Sequence, residues 1–212
     1  MSTKAAAATK PPKSRGPTAS LAAAVIDGSS ETDLAGYAAD LTSDNKSAAT
    51  RAARIFEEVV AQAPTLAAPH IAKLVALLSS DANPRAVQAA AQCLPKVAAV
   101  APAKVARHID RMRQGYERCG NSGREGVVLT LAALCDASVA YQKRVVDVFE
   151  RALAEAEPKL LVSWSEAVLP VLKGEPYATA RAVVEQRMPD LPRPQAQKLA
   201  DFLGVRLRLA RG

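Results

Sequence analysis

Residues 55–74 read IFEEVVAQAPTLAAPHIAKL, and residues 93–112 read CLPKVAAVAPAKVARHIDRM. Laid over one another at an offset of 38 residues, Ile55, Phe56, Val59, Ala63 and Pro64 fall on Cys93, Leu94, Val97, Ala101 and Pro102. His70, Ile71, Lys73 and Leu74 then fall on His108, Ile109, Arg111 and Met112. Alanine-rich chains match themselves easily, so the weight lies on the non-alanine positions. A fainter echo sets Leu94-Pro95 against Leu169-Pro170, two periods apart at 75 residues. Self-similarity at such a period marks a stack of supersecondary units, none of which can bury its apolar face alone.

Outward from this stretch the chain divides at similar intervals into segments of ordinary helix length. Five pairs are expected, with first helices near 31–41, 67–80, 102–119, 139–156 and 176–188. Their second helices fall near 46–63, 84–101, 123–138, 158–173 and 193–209. Val105, Ile109, Met112 and Tyr116 make one apolar stripe at helical spacing; Val145, Phe149 and Leu153 make another, and Leu160 or Leu161 with Trp164, Val168 and Leu172 a third. These stripes are core, with Trp164 the largest contribution. Asn83 before Pro84 reads as an N-cap with proline at the first helical position, and Ser122 with Glu125 has capping-box spacing. Gly120 and Gly174 sit where helix-ending glycines belong. Pro95 and Pro170 fall late in their helices and are expected to kink them or end them early.

A repeat of about 38 residues made of two helices resembles the HEAT and armadillo-like class of α-solenoids, over roughly residues 31–209. The resemblance implies an all-α fold, an α-solenoid of about five antiparallel helix pairs forming a single helical repeat domain over residues 19–212, while the Lys-, Ala-, Ser- and Pro-rich composition of residues 1–18 reads as a disordered basic arm. In HEAT repeats an Asp in the turn between paired helices and an Arg early in the second helix form a ladder along the stack. Carried over, Asp44 and Asp81 take the Asp position and Arg85 and Arg124 the Arg position, so the ladder would pair Asp44 with Arg85 and Asp81 with Arg124. The third turn departs from this pattern with Asn121, and the last two repeats match mainly by length.

Composition agrees with a helical core. Of the 212 residues 49% are hydrophobic and only 4% aromatic, and strand-forming residues seldom alternate with polar ones, so a sheet has little support. The net charge of +7 is unevenly spread. Lys4, Lys10, Lys13 and Arg15 precede the first acid, and Arg206, Arg208 and Arg211 follow the last one. Setting those seven aside from the 28 basic residues leaves 21, which balances the 21 acidic residues of a neutral body. The arm, with Pro11, Pro12 and Pro17, reads as a solubilising tail; polyanion binding and organelle or nuclear targeting are its functional alternatives. Cys93, Cys119 and Cys135 are odd in number and lack CxxC spacing, which argues against a zinc module and against a secreted disulfide framework, and favours a cytoplasmic setting. No apolar run approaches the roughly 20 residues that span a bilayer.

Chemistry is sparse. His70 and His108 occupy equivalent places in successive repeats, too far apart on neighbouring helices to share a metal, and the cysteines lie among apolar neighbours as small hydrophobes do. The chain is therefore expected to be no enzyme and to hold no cofactor or metal. Gly115–Gly126 is glycine-rich with arginines on both sides, but it lacks a Gly-Lys-Ser/Thr ending and a preceding strand, so it reads as an inter-helix turn rather than a phosphate loop. The clearest charge pattern is Lys104, Arg107, His108 and Arg111 at i, i+3, i+4 and i+7, with Arg118 two turns further on and Arg124 nearby. Residues 96–124 hold seven basic residues against Asp110 and Glu117. A solvated helix face is the plain reading. The functional reading is a partner-binding face: a scaffold for another protein, such as an acidic segment, or a contact to the backbone of duplex nucleic acid through the same region and the basic termini.

Overall fold

The computed structural model describes residues 16–206, and among these all regular structure is helical. Most of the expected arm, residues 1–15, lies outside the described residues, as do Arg208 and Arg211. Pro17 and Thr18 do not belong to an arm: they open a helix the periodicity had not marked, α1 (Pro17–Asp27). Proline at the first helical position is free of the usual penalty, because its missing N–H has no intrahelical acceptor there. The helix closes on Gly28 in the left-handed region at φ 77°.

After α1 come α2 (Leu34–Asp40) and α3 (Lys46–Gln62), then α4 (Ile71–Leu78) and α5 (Pro84–Val100). The third pair has its first helix in two pieces, α6 (Pro102–Ala106) and α7 (Ile109–Gly115), followed by α8 (Asn121–Ala137). The series ends with α9 (Gln142–Glu155), α10 (Pro158–Val168), α11 (Glu175–Arg187) and α12 (Arg193–Leu203). Short 3-10 segments lead into α4 and α9 and trail α7, α10 and α11. The helices form two layers. In one, α3, α5, α8, α10 and α12 pack successively; in the other, α4 meets α7, α7 meets α9 and α9 meets α11. The α1 helix packs along α3, so α3 also has a neighbour on its N-terminal side. A single apolar cluster runs between the layers from Ala22 to Ala200.

The 38-residue echo is visible in the backbone. Ala63 (φ −139°, ψ 69°) and Ala101 (φ −137°, ψ 53°) end α3 and α5 in nearly the same conformation. Each precedes a proline, whose ring crowds the preceding residue out of the helical region. Their N–H groups close back onto Val59 and Val97, which are also equivalent. Six residues after each proline, His70 (φ −101°, ψ 4°) and His108 (φ −106°, ψ 5°) break the helix in the bridge region.

Several local expectations need correction. The pairs Asp44 with Arg85 and Asp81 with Arg124 do not form: Arg85 pairs with Glu57 across the α3–α5 seam, and Arg124 lies between Glu117 and Glu155. Both arginines are drawn to carboxylates on packed helices rather than to turn residues. The Ser122–Glu125 capping box is absent, because α8 starts earlier, with Gly120 as its N-cap and no side-chain cap. Gly174 also precedes a helix rather than ending one, at φ 61° and ψ −136°. Pro170 ends α10 in a 3-10 turn, but α5 continues through Pro95 to Val100. The Asn83 cap does form, its side chain accepting from Arg85 N at 2.9 Å.

The glycines of the 115–126 stretch serve packing. A Cβ on Gly126 would meet Ala91 of α5 at 2.7 Å and Leu78 of α4 at 2.8 Å, and one on Gly123 would run into the Leu78 carbonyl. Here α8 and α5 touch nearly backbone to backbone, which only glycine permits.

Candidate partner-binding face

Pro102 starts α6, and the break at Arg107-His108 separates it from α7. The expected stripe Lys104, Arg107, His108, Arg111 therefore does not ride one continuous helix. Ile109, Met112, Gly115 and Tyr116 turn inward and are buried. The remaining positions of α7 and the turn after it divide into two flanks.

One flank is neutralised within the protein. Asp110 meets Arg144 of α9 at 3.6 Å, Arg113 meets Asp147 at 2.7 Å, and Glu117 pairs with Arg151. Both helices present the same i, i+3, i+7 spacing with opposite signs, so the charges interlock. The Glu117 hydrogen bond is the main cause that holds the Arg151 pKa above its ordinary value.

Arg111 and Arg118 make up the other flank, and Lys104 of α6 and Arg107 at the break precede it in the chain. Lys104, Arg107, Arg111 and Arg118 are exposed, and none of them enters an ion pair formed among the described residues. Within α7 and its trailing turn, Arg111 and Arg118 lie away from the α9 side, as helical spacing requires. These four supply charge-assisted donors suited to carboxylate or phosphate oxygens.

The other two candidates behave differently. His108 is half-buried, and burial first, then Arg111 and Arg107, hold its pKa below the usual imidazole value, so near neutrality it adds no charge to the face. Arg124 is engaged internally. Its Nε donates to the Cys119 carbonyl at 3.2 Å, its guanidinium lies 5.2 Å from the Tyr116 ring centre, and Glu155 and Glu117 sit at 3.5 and 3.9 Å. It ties α8 to the end of α7.

The three thiols are buried, and burial pushes Cys93 and Cys135 up to about 12 and Cys119 to about 11, so all stay protonated near neutrality. Among the described residues no three His, Cys, Asp or Glu side chains gather as metal ligands, and no helix is long and apolar enough to cross a membrane.

No protein-family model matches the chain, and no curated protein matches it in sequence. Among solved structures it is similar to a crystal structure of an engineered protein from the Northeast Structural Genomics Consortium, at a TM-score of 0.62 and 16% identity, covering 89% of this chain and 85% of that one. The likeness is one of fold.

Three features escaped the sequence reading. The α7–α9 charge ladder was legible as Asp110, Arg113, Glu117 against Arg144, Asp147, Arg151, equal spacings with inverted signs 34 residues apart. Gln142 is buried and clamps the turn after α10, donating to the Val171 carbonyl at 2.8 Å and accepting from Lys173 N at 3.1 Å. Arg187 caps a neighbouring helix through the Leu153, Ala154 and Ala156 carbonyls at 3.0, 2.5 and 3.0 Å. Nothing in local sequence marks the last two, because each depends on a turn about 30 residues away.

Proposed function

We propose that the chain is a non-enzymatic scaffold, a HEAT-like α-solenoid of about five helix pairs, and that it holds an acidic segment of another protein on the Lys104, Arg107, Arg111 and Arg118 face. The observation that carries this reading is the division of charge along α7: Asp110, Arg113 and Glu117 toward α9 are each matched by an opposite charge, whereas Lys104, Arg107, Arg111 and Arg118 enter no ion pair among the described residues. Stacked pairs offer a long surface, which suits an extended ligand. Three buried free thiols fit a reducing, cytoplasmic setting. The test is a pull-down from the native source with the wild-type chain and with Arg107→Glu/Arg111→Glu. Loss of one acidic protein from the variant, with melting temperature unchanged because exposed charges contribute little to stability, supports the reading. Retention of every partner by the variant overturns it.

A second reading, contact to the backbone of duplex nucleic acid, draws on the seven cations at the chain ends that lie outside the neutral body. It requires the wild-type chain to bind purified duplex with an affinity that falls steeply with salt, as counterion release demands.

A further inference from the structure

A second group of unpaired cations lies in a cleft of about 450 Å³ lined by Lys46, Ser47, Thr50, Arg51 and Arg54 of α3 and by Thr18 of α1. The α3 residues follow i, i+1, i+4, i+5 and i+8, one face of the helix. Among the described residues no acidic side chain lines the cleft, and Lys46, Arg51 and Arg54 enter no ion pair. Asp40 shares a smaller recess with Arg51, beside Thr32 and Tyr37, yet the two do not pair. Arg51 and Arg54 stand three residues apart, where like charges repel.

The donors here are side chains. The first free amides of α3, Ser47 N and Ala48 N, already donate to the Asn45 side chain at 3.0 and 3.2 Å. Thr50 Oγ1 accepts from Asn83 Nδ2 at 3.4 Å, which leaves its own proton to donate. Two guanidinium forks, one ammonium and three hydroxyls thus border one open cleft with no carboxylate among them. That set matches an anion with several acceptor oxygens and more than one charge, because each fork grips two oxygens.

We infer that the α1–α3 cleft binds a small soluble phosphate compound of the diphosphate or phosphomonoester class. Arg51 and Arg54 clamp the oxygens, Lys46 supplies a point charge, and Thr18, Ser47 and Thr50 donate hydroxyl hydrogen bonds. This site is independent of the α6–α7 face and stands whether or not that face binds protein.

The test is calorimetric titration of the full chain with pyrophosphate, with inorganic phosphate and sulfate as comparisons. Saturable binding to one site is expected, tighter for pyrophosphate than for sulfate. Arg51→Gln/Arg54→Gln should weaken it by about tenfold or more, the ordinary worth of a charge-assisted hydrogen bond. Its melting temperature should stay unchanged, since neither arginine enters an ion pair among the described residues. Arg107→Gln/Arg111→Gln should bind pyrophosphate as the wild type does. Amide shifts on titration should concentrate in the first turns of α1 and α3. Absence of saturable heat overturns the site, and so does an equal loss in both double variants, which would mean general attraction to a basic protein. If the pull-down partner is lost while pyrophosphate binding persists, or the reverse, the two readings are separated.

Discussion

At Gly126 the molecule has no room for even one methyl group, because Ala91 and Leu78 stand 2.7 and 2.8 Å from where a Cβ would sit. Gly126→Val would push α8 off α5 along the most extensive helix–helix contact in the fold. Overpacking of this kind costs about 1–3 kcal/mol, and the β-branched side chain also stiffens the helix there. A denaturation midpoint unchanged from wild type would show that the seam relaxes freely. The stripe residues behave as the sequence reading requires: Trp164 is 2% exposed, and Leu161 rather than Leu160 completes its buried row with Val168 and Leu172. Their legibility is physical, since an apolar side chain repeated at helical spacing has one low-energy side to face. Glycine carries no such signature. Read alone, Gly120, Gly123 and Gly126 look like a turn, and only the neighbouring backbone reveals two of them as contact points.

The paired helices follow from prolines and caps that act on their immediate neighbours. Pro64 and Pro102 fix where α3 and α5 end, and Asn83 with Pro84 fixes where α5 begins, so these boundaries could be read from sequence. The break inside the third pair could not, because no proline or glycine stands at Arg107-His108. The ladder expected from HEAT repeats failed for a related reason. A long arginine side chain has several carboxylates within reach, and packing decides which one it meets. Arg187 illustrates the same selection at a helix end, where its fork satisfies three carbonyls at and just past the C-terminus of α9. Arg187→Ala leaves those carbonyls to water and should destabilise the fold by about 1–3 kcal/mol. Arg187→Lys should recover only part of the loss, because an ammonium cannot span three acceptors with a planar fork. Urea denaturation of the three proteins checks both statements, and full recovery by lysine would reduce the role of Arg187 to simple charge at a helix C-terminus.

Across the whole molecule, stability should follow position in the stack. Each helix of the α3–α5–α8–α10–α12 layer packs mainly on its neighbours in that layer and on its own pair, and α1 and α12 have layer neighbours on one side only. Central α5 packs on α3, α4, α6 and α8, joining three successive pairs, and the Gly126–Ala91 contact brings its backbone against α8. The opposite layer is held in part by the polar α7–α9 ladder, whose exposed pairs contribute about 0–1 kcal/mol each. In the proposed α-solenoid, a quasi-one-dimensional stack, unfolding starts from the ends, so opening free energies should grade along the chain. Native-state hydrogen exchange is expected to show the greatest protection in α5 and α8, with protection falling toward α1 on one side and α12 on the other. The apolar cluster is continuous from Ala22 to Ala200, and a fully cooperative core would instead give equal protection throughout. Uniform exchange free energies from α1 to α12 would therefore overturn the nearest-neighbour description. A graded profile would agree with it, and would locate the basic α6–α7 face beside the most stable seam and the α1–α3 cleft at a labile end, where phosphate binding should raise the protection of α1.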